Sequence, residues 1–372
     1  MFVSQTKLPH LLSPSSYCSS EAYQAELQGV LKAAWYLIGT TAELARHGDF
    51  LTQMVAGVSL QVRNFNGQLR AVSNVCAHRH AEICSQPCGN SPTMRCQYHG
   101  WEYQADGLTG KIPEPKNFVP FDRQATRLPQ YALETIGQLV FVNVSAAPLP
   151  LVDFLGEEFY QWLETRFSQQ WTLALKWQPD YPANWKIPIE NSLEAYHVPA
   201  VHPHTFRQDP GAERSSHGLL TNRTWFETTL PFSPHTRLDA TFQRLEGRFV
   251  RWLGHETSGF YQQHHVFPNL LFSFTDAISL ASCVLPTGPQ KCSAVTRQFG
   301  RLPSSNGPLR RLSAKWWARL TSAITKRVML EDLTMFAAIQ RGMQHSPHEG
   351  LLGCCEERIH RFQEWMVGRL SA

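Results

Sequence analysis

The composition of the 372-residue chain sets limits before any motif is considered. Its length favours two domains, and a hydrophobic content of 42% against 17% charged residues allows substantial buried cores. The formal net charge of +4 comes without a clustered run of lysine and arginine, so we expect no nucleic-acid binding. No segment approaches the ~20 consecutive apolar residues that cross a bilayer, so we expect no membrane insertion.

The cysteine content and the first residues bear on the cellular compartment. Residues 1–20 contain one lysine and no apolar core, which predicts no secretory signal. Nine cysteines in a long chain without such a signal favour a reducing compartment, where thiols stay free or bind metal. We therefore expect a cytoplasmic protein.

The N-terminal third begins with a helical pattern and continues with short β-like runs. Residues 20–34 place Leu27, Val30 and Leu31 on one face of a helix. The Asn66-Gly67 and Asp106-Gly107 pairs are strong hairpin signals between the runs that follow. We predict a helical segment over 1–35 that packs on the larger domain, and a small antiparallel domain over 36–147. Its predicted strands are 35–39, 58–65, 69–75 and 139–144.

The remaining 225 residues, about 148–372, predict a larger mixed domain. Pro148 and Pro150 interrupt the chain, and a helix-like stretch follows at 153–168. Residues 308–343 form the longest helical pattern. Between these helices, β-rich stretches cover 224–229, 270–275, 278–284 and 294–299.

Two short motifs combine cysteine and histidine in the first domain. Cys76 and His78 are separated by one residue, and Cys96 and His99 by two. Two thiolates and two imidazoles suit a Rieske [2Fe–2S] centre, in which each motif supplies one ligand to each iron. A zinc site is the alternative, but it would usually pair C-x2-C with H-x3-5-H or a second C-x2-C. Neither pattern occurs here.

Two further cysteines, Cys84 and Cys88, lie between the motifs at offsets unlike those of the ligands. Metal binding is one interpretation of this pair. Small buried thiols in a loop are the interpretation that we favour.

A second candidate metal site combines His197, His202 and Asp332. Histidines at i and i+5 lie roughly 140° apart on an ideal helix, so we expect Pro199 to break the helix between them. His204 is a rival for His202. An acidic third ligand would complete a 2-His-1-carboxylate iron site with open positions for oxygen.

Asp332 is the best candidate for the acidic ligand because of its helical neighbours. Val328, Phe336 and Ile339 share its face of the predicted helix. A carboxylate on such an apolar stripe is costly unless it is paired or binds a metal. Glu331 lies one step off the stripe and is expected to be solvated.

These motifs together resemble the catalytic (alpha) subunit of Rieske non-haem iron, ring-hydroxylating oxygenases, over about residues 35–145, 180–205 and 328–343. The resemblance implies an α+β fold. It would consist of a small all-β Rieske domain and a larger helix-grip catalytic domain, in which an antiparallel sheet wraps a long helix. It also implies a mononuclear Fe(II) in addition to the cluster, and a head-to-tail homotrimer that places one subunit's cluster next to its neighbour's iron.

The resemblance extends to residues around the iron. It implies that Glu194 is a bridging carboxylate between an iron-ligand histidine and a cluster-ligand histidine of the neighbouring subunit. The position is most often Asp in the family, and Glu resembles the branch that acts on choline and carnitine. Asn191 and Tyr196 match motif positions that line or support the site.

The implied function is hydroxylation or N-demethylation of a small organic substrate with O2, and the choline and carnitine branch favours a quaternary ammonium compound. Electrons would come from a ferredoxin and/or flavin reductase, with NAD(P)H used only indirectly because the chain has no GxGxxG motif. Oxidation of an aromatic ring or acid is the alternative, and a Rieske electron carrier is the alternative from another class. Candidate aromatic contacts for an ammonium group, or ordinary core residues, are Trp225, Phe226, Tyr261, Phe272 and Phe274.

Overall fold

The computed structural model describes residues 4–203, 205, 211–229, 237–305 and 307–371. The chain divides into two compact units, one formed by residues 32–163 and the other by residues 1–31 with 164–372. Helices cover 33% and strands 30% of the chain, which confirms the mixed α+β class. The domain limits at 35/36 and 147/148 stay predictions.

The helices include a long one that runs through most of the residues predicted for it. In chain order the described helices are α1 (Ser20–Gly29), α2 (Leu151–Leu155), α3 (Glu157–Arg166), α4 (Lys186–Ser192), α5 (Val198–Val201), α6 (Arg237–Trp252), α7 (Pro308–His345) and α8 (Glu357–Leu370). Within the described ranges, no helix combines the length and apolar character that a membrane crossing requires.

The unit of residues 32–163 is built on antiparallel strands. They are β1 (Tyr36–Thr40), β2 (Asp49–Val55), β3 (Val58–Phe65), β4 (Gln68–Ser73), β5 (Cys88–Asn90), β6 (Met94–Arg95), β7 (Glu102–Tyr103), β8 (Gln130–Ile136) and β9 (Leu139–Asn143). Seven form one sheet in the order β1-β9-β8-β4-β3-β2-β5, and β6 pairs with β7.

The turn between β3 and β4 shows how the sequence sets this sheet. Asn66 and Gly67 both adopt positive φ angles, 53° and 89°, as the tight two-residue hairpin requires. Phe65 pairs with Gln68 across it. The hairpin that the Asn-Gly pair predicts is therefore confirmed.

The second unit contains an antiparallel sheet in the order β10-β17-β16-β15-β14-β13-β12, with β11 also paired to β17. Its strands are β10 (Trp171–Trp177), β11 (Asp180–Tyr181), β12 (Ser215–Leu219), β13 (Arg223–Thr229), β14 (Phe260–Val266), β15 (Leu270–Phe274), β16 (Ile278–Gly288) and β17 (Lys291–Arg301).

Helix α7 packs on this sheet at very close range. A Cβ atom on Gly300 of β17 would lie 2.3 Å from that of Ala318 on α7, so only glycine allows the backbones to approach so closely. Gln298 and Thr321 form a hydrogen bond beside this contact. The long helix held against an antiparallel sheet confirms the predicted helix-grip architecture.

The N-terminal segment fixes the start of α4. Lys186, fully buried, forms an ion pair with Glu26 of α1. Trp185 donates to the same carboxylate at 2.7 Å, and Tyr17 donates to Glu190 at 2.6 Å. Separating a buried ion pair leaves an uncompensated charge and strongly destabilises the fold. These contacts therefore hold in place the segment that leads to His197.

Candidate metal centres

The two cysteine–histidine loops of the first unit fold into equivalent turns. In one, the N–H of Cys76 donates to Ala81 and the N–H of His80 donates back to Cys76. In the other, Cys96 bonds in the same way to Trp101 and Gly100. His80 and Gly100 both have positive φ angles, 60° and 73°. The loops therefore present their ligands with matching backbone geometry.

The four side chains predicted as cluster ligands converge between these loops. The thiols of Cys76 and Cys96 are buried and close enough to share a hydrogen bond. The rings of His78 and His99 lie 4.6 Å apart between centroids. Nδ1 of His78 is buried and accepts no bond from any described residue. This donor set fits a Rieske cluster of two thiolates and two imidazoles.

Electrostatics keep the first imidazole ready to bind metal. Burial, with the nearby His99 and Arg79, lowers the pKa of His78, so its ring is neutral at pH 7 as a metal ligand must be. Its ring also stacks on Trp101, with centroids 4.9 Å apart and planes 5° apart. The stacking fixes the direction in which the imidazole points.

The structure adds Tyr103 to this site and separates the other two loop cysteines from it. The hydroxyl of Tyr103 lies 3.1 Å from Sγ of Cys76 and accepts the N–H of Ala77 at the same distance. Cys88 is exposed on β5, and Cys84 is only partly buried. The expectation of buried loop thiols was therefore wrong for Cys88.

The second candidate centre lies in the other unit, where the structure brings together His197, His202 and Asp332. One donor atom from each lies within 4.8 Å of the others. Oδ1 of Asp332 lies 3.0 Å from Nε2 of His202 and 3.5 Å from Nε2 of His197. Donors that each lie ~2.1 Å from one ion at right angles would be about 3 Å apart. The side chains therefore fit a facial-triad iron site.

The backbone reaches this arrangement differently from the prediction. Pro199 does not break a helix between the histidines; it lies in the first turn of α5, where the missing N–H costs nothing. His197 caps the start of this one-turn helix and His202 its end. Because His202 leaves helical geometry at ψ 46°, its ring can turn toward Asp332.

Two carboxylates orient the histidine rings from behind. Nδ1 of His197 is hydrogen-bonded to Glu194, whose other oxygen accepts the N–H of His197 at 3.1 Å. Nδ1 of His202 donates to Glu331 at 2.9 Å, and Thr205 donates to the same oxygen at 2.8 Å. Such partners fix the tautomer that leaves Nε2 for the metal. Both rings therefore present Nε2 to the same point.

The expectation that Glu331 is solvated was wrong, because its side chain is only 19% exposed and holds His202. The sequence gave no signal for this contact beyond the adjacency of Glu331 to Asp332. His204, the rival ligand, lies outside the described residues.

The histidines and carboxylates of this site shift one another's pKa values. Although burial favours a neutral ring, hydrogen bonds to Asp332 and Glu194 raise the pKa of His197 to about 9. Burial likewise opposes ionisation of Asp332, but its bonds to His197 and His202 lower its pKa. A bound metal would displace protons from these atoms, since a metal competes with protons for the same ligands.

A cavity of about 340 Å³ opens onto the triad. Asn191 and Glu194 line it as predicted, whereas Tyr196 is 76% exposed and does not. Among the candidate aromatic residues, three line the cavity: Phe226, Tyr261 and Phe274. The other two do not, and Phe272 is an ordinary core residue packed on Phe167.

Two family comparisons cover most of the chain. The family described as Rieske [2Fe-2S] domain matches residues 34–132. The family described as Ring hydroxylating alpha subunit (catalytic domain) matches residues 168–372, more than half of the chain. The matches coincide with the units that hold the two candidate centres.

Individual relatives are more distant. The chain is 29% identical to a glycine betaine monooxygenase oxygenase subunit of Pseudomonas aeruginosa, over 50% of this chain and 43% of that protein. It is 32% identical to a biphenyl 2,3-dioxygenase subunit alpha of Rhodococcus jostii, over 50% and 42%. The matched part thus spans less than half the length of these two relatives.

A solved structure shares the whole fold. It is a quaternary ammonium Rieske monooxygenase, described as giving insights into carnitine oxidation and inter-subunit electron transfer. The TM-score is 0.74 at 18% identity, over 99% of this chain and 100% of that one. At this identity the likeness shows the fold alone. The family matches go further: the chain belongs to the ring-hydroxylating alpha subunit family, with a Rieske [2Fe–2S] cluster and a mononuclear iron as its cofactors.

Proposed function

We propose that this protein is the oxygenase component of a system that hydroxylates and N-demethylates a quaternary ammonium compound with O2. The observation that carries the proposal is the cavity onto which the facial triad opens. The names of the betaine and carnitine relatives support the substrate class, while the chain's own cavity supports it chemically.

The cavity offers the surroundings that a cationic substrate needs. Tyr261 presents an aromatic side chain to the cavity, and aromatic rings attract ammonium groups through the ring quadrupole. Glu246 lines the same cavity and forms no ion pair with any described residue. Burial raises the pKa of Glu246 to about 7, so a bound cation would offset the cost of its ionised form.

The residues of the chain position the reaction. Glu194 and Glu331 orient the two histidines, and apolar side chains such as Leu280 and Val328 keep water from the cavity wall. His197, His202 and Asp332 would hold an iron that, with electrons from the cluster, would supply O2 activation: insertion of one oxygen atom into an N-methyl C–H bond, with the other reduced to water by two electrons and two protons. The resulting N-hydroxymethyl product would break down to formaldehyde and a tertiary amine.

The electron supply and the assembly are part of the proposal. A separate ferredoxin or flavin reductase would deliver single electrons, because the chain has no dinucleotide-binding motif. A homotrimer would pair one subunit's cluster with a neighbour's iron, with Glu194 at the interface. The inter-subunit electron transfer described for the structural relative supports this arrangement, and closed cyclic assemblies accommodate it.

Oxidation of an aromatic ring is the second candidate, supported by the biphenyl dioxygenase relative and by the apolar part of the cavity wall. A single turnover separates the two. Chemically reduced, iron-loaded protein is exposed to O2 with a pool of trimethylammonium compounds and, separately, with a pool of aromatic acids and hydrocarbons. We expect formaldehyde and a demethylated amine only from the first pool, followed by mass spectrometry. Oxygenated products only from the second would overturn the proposed substrate class.

A further inference from the structure

A buried arginine lines the cavity beside the iron site. Arg358 is the second residue of α8 and is only 3% exposed. Its Nη1 donates to Oε1 of Gln263 at 3.0 Å. Its guanidinium carbon lies 4.8 Å from the centre of the Phe226 ring. The side chain is thus held against two strands of the sheet, with its head at the cavity wall.

The charge of Arg358 is not neutralised by a neighbouring carboxylate. Its Nε is buried and has no hydrogen-bond partner, and no ion pair joins it to any acid in the described parts of the chain. Glu194 supports its charge only at longer range and is itself bonded to His197. Burial lowers the pKa of Arg358 to about 10, so it remains charged at pH 7.

Such an arrangement is costly for the protein alone. An unpaired buried charge is strongly unfavourable. The first turn of α8 adds to the cost, because the positive end of a helix dipole favours anions rather than cations. An anion bound from the cavity would offset both the unpaired charge and its unfavourable interaction with the helix dipole. A planar carboxylate matches the guanidinium fork best, since two parallel hydrogen bonds can form.

We propose that Arg358 is a specificity-determining residue that binds a carboxylate group of the substrate. The identification of that substrate as a betaine, with a carboxylate at one end and a quaternary ammonium group at the other, rests on the function proposed above. Arg358 also covers the Phe226 ring, so its positive charge would repel an ammonium group from that part of the cavity.

Glu246 provides the complementary charge elsewhere in the cavity. It is hydrogen-bonded to Thr275, which follows β15. Gln263, the partner of Arg358, pairs with Ser273 of β15. Thr275 is therefore one strand over and two residues along from Gln263, roughly 8 Å away at ordinary sheet spacings. The two charges thus favour a zwitterion in a defined direction.

Binding to the oxidised, iron-loaded holoenzyme, measured by isothermal titration calorimetry, tests the proposal without relying on turnover. The ligands are γ-butyrobetaine, its methyl ester, which lacks only the negative charge, and benzoate. We expect wild type to bind the acid about 10-fold or more tightly than the ester. Arg358→Gln should weaken binding of the acid by about 30-fold or more and leave the affinity for the ester within about 3-fold of wild type. The affinity of Arg358→Lys for the acid should lie between those of wild type and Arg358→Gln, because lysine keeps the charge and loses the guanidinium fork.

A matched control is Arg297→Gln, which removes another buried arginine, on β17, that does not line the cavity. It should leave the preference for the acid over the ester unchanged. The cluster absorption and the melting temperature of each variant check folding. The comparison of acid with ester in wild type needs no variant at all, so misfolding of Arg358→Gln does not protect the proposal.

The outcomes separate this proposal from the proposed function. Equal binding of acid and ester by wild type, or equal weakening of both in Arg358→Gln, overturns the carboxylate role while leaving the quaternary ammonium substrate in place. Arg358-dependent binding of benzoate without binding of either trimethylammonium compound supports the carboxylate role and overturns the proposed function. Failure of all three ligands to bind overturns both.

Discussion

The four cluster ligands lie between residues 76 and 99, whereas the three iron ligands lie between residues 197 and 332. Each cluster loop is set by hydrogen bonds within its own turn, such as that from His80 to Cys76. The iron site instead needs α7 to dock on the sheet before Asp332 can reach the histidines. A locally built site and a site built by tertiary packing should respond differently to mutation.

The largest loss of activity should come from replacing Asp332, the iron ligand whose position depends on tertiary packing. Asp332→Ala removes the carboxylate donor, and we expect loss of bound iron and a fall in single-turnover product of about 10³-fold or more, since no other described acid replaces it at both histidines. The visible spectrum of the cluster should be unchanged, because its ligands belong to the other unit.

Iron content by mass spectrometry, the absorption spectrum and product yield would be measured on one preparation, with wild type as the reference. Retained turnover in Asp332→Ala would rule out the triad. Absence of oxygenated product from wild type would instead favour the interpretation of the chain as an electron carrier without oxygen chemistry.

A smaller effect is expected at the carboxylate behind the second histidine. Glu331→Ala removes the acceptor for His202 and Thr205, and loss of such a partner typically costs 10–100-fold in metal affinity or activity. Glu331→Gln should cost less because its amide oxygen can still accept from Nδ1 of His202. Iron affinity is measured by competition with a chelator.

Thr205→Val is the matched control, since it removes the neighbouring hydroxyl but keeps the His202–Glu331 contact. Unchanged iron affinity in Glu331→Ala would mean that the ring of His202 is held by packing alone.

The buried carboxyl of Glu246 in the cavity wall should make the folding stability depend on pH. Burial raises the pKa of Glu246 to about 7, from 4.5, and the nearby Asp276 adds to this while Thr275 opposes it. The folded state therefore holds the proton of Glu246 more tightly than the unfolded state does. The contribution of Glu246 to folding stability is most favourable below pH 4.5 and is lost as the pH rises through 7. Glu246→Gln removes this loss and should stabilise the fold by up to about 3 kcal/mol at pH 8, but little at pH 4.5.

Urea unfolding of wild type and variant at both pH values measures the difference. Glu256→Gln, which removes the same charge from an exposed position, is the control. A stabilisation by Glu246→Gln that is equal at the two pH values would contradict a buried, titrating carboxyl.

The same contrast explains what the sequence could and could not predict. Contiguous signals succeeded: the cysteine–histidine spacing, the Asn66-Gly67 turn and the 308–343 pattern, which is helix α7 in the structure. Strand β14 (Phe260–Val266) was missed because its run of glutamines and histidines lacks an apolar signal. Helix α6 (Arg237–Trp252) was missed because it lies between stretches that were predicted as strands.

Contacts between distant segments were beyond sequence patterns altogether. The role of Glu331 depends on a histidine ring 129 residues away, and Arg358 on its helix has the pattern of a solvated residue. Their function follows from where the fold places their partners. The candidate ligands were found only because their residue types are rarely combined by chance.

The smallest expected effect tests whether the cluster is governed by its own loops. The N–H of Ala77 donates to the Tyr103 hydroxyl, so the hydroxyl proton is free to point at Sγ of Cys76, which as a bound thiolate can only accept. A donor to the sulfur favours the more negative reduced state. Tyr103→Phe should therefore lower the reduction potential, by about 20–60 mV if the bond is worth about 0.5–1.5 kcal/mol.

The potential is measured by redox titration of the cluster's EPR signal. Tyr131→Phe is the matched control, because Tyr131 lies on β8 of the same unit and interacts with Ser73 rather than with a ligand. An unchanged potential in Tyr103→Phe would show that this bond does not tune the cluster. A lower potential with an unaltered content of mononuclear iron would show that a change beside the cluster stays local, whereas Asp332→Ala tests the site that packing assembles.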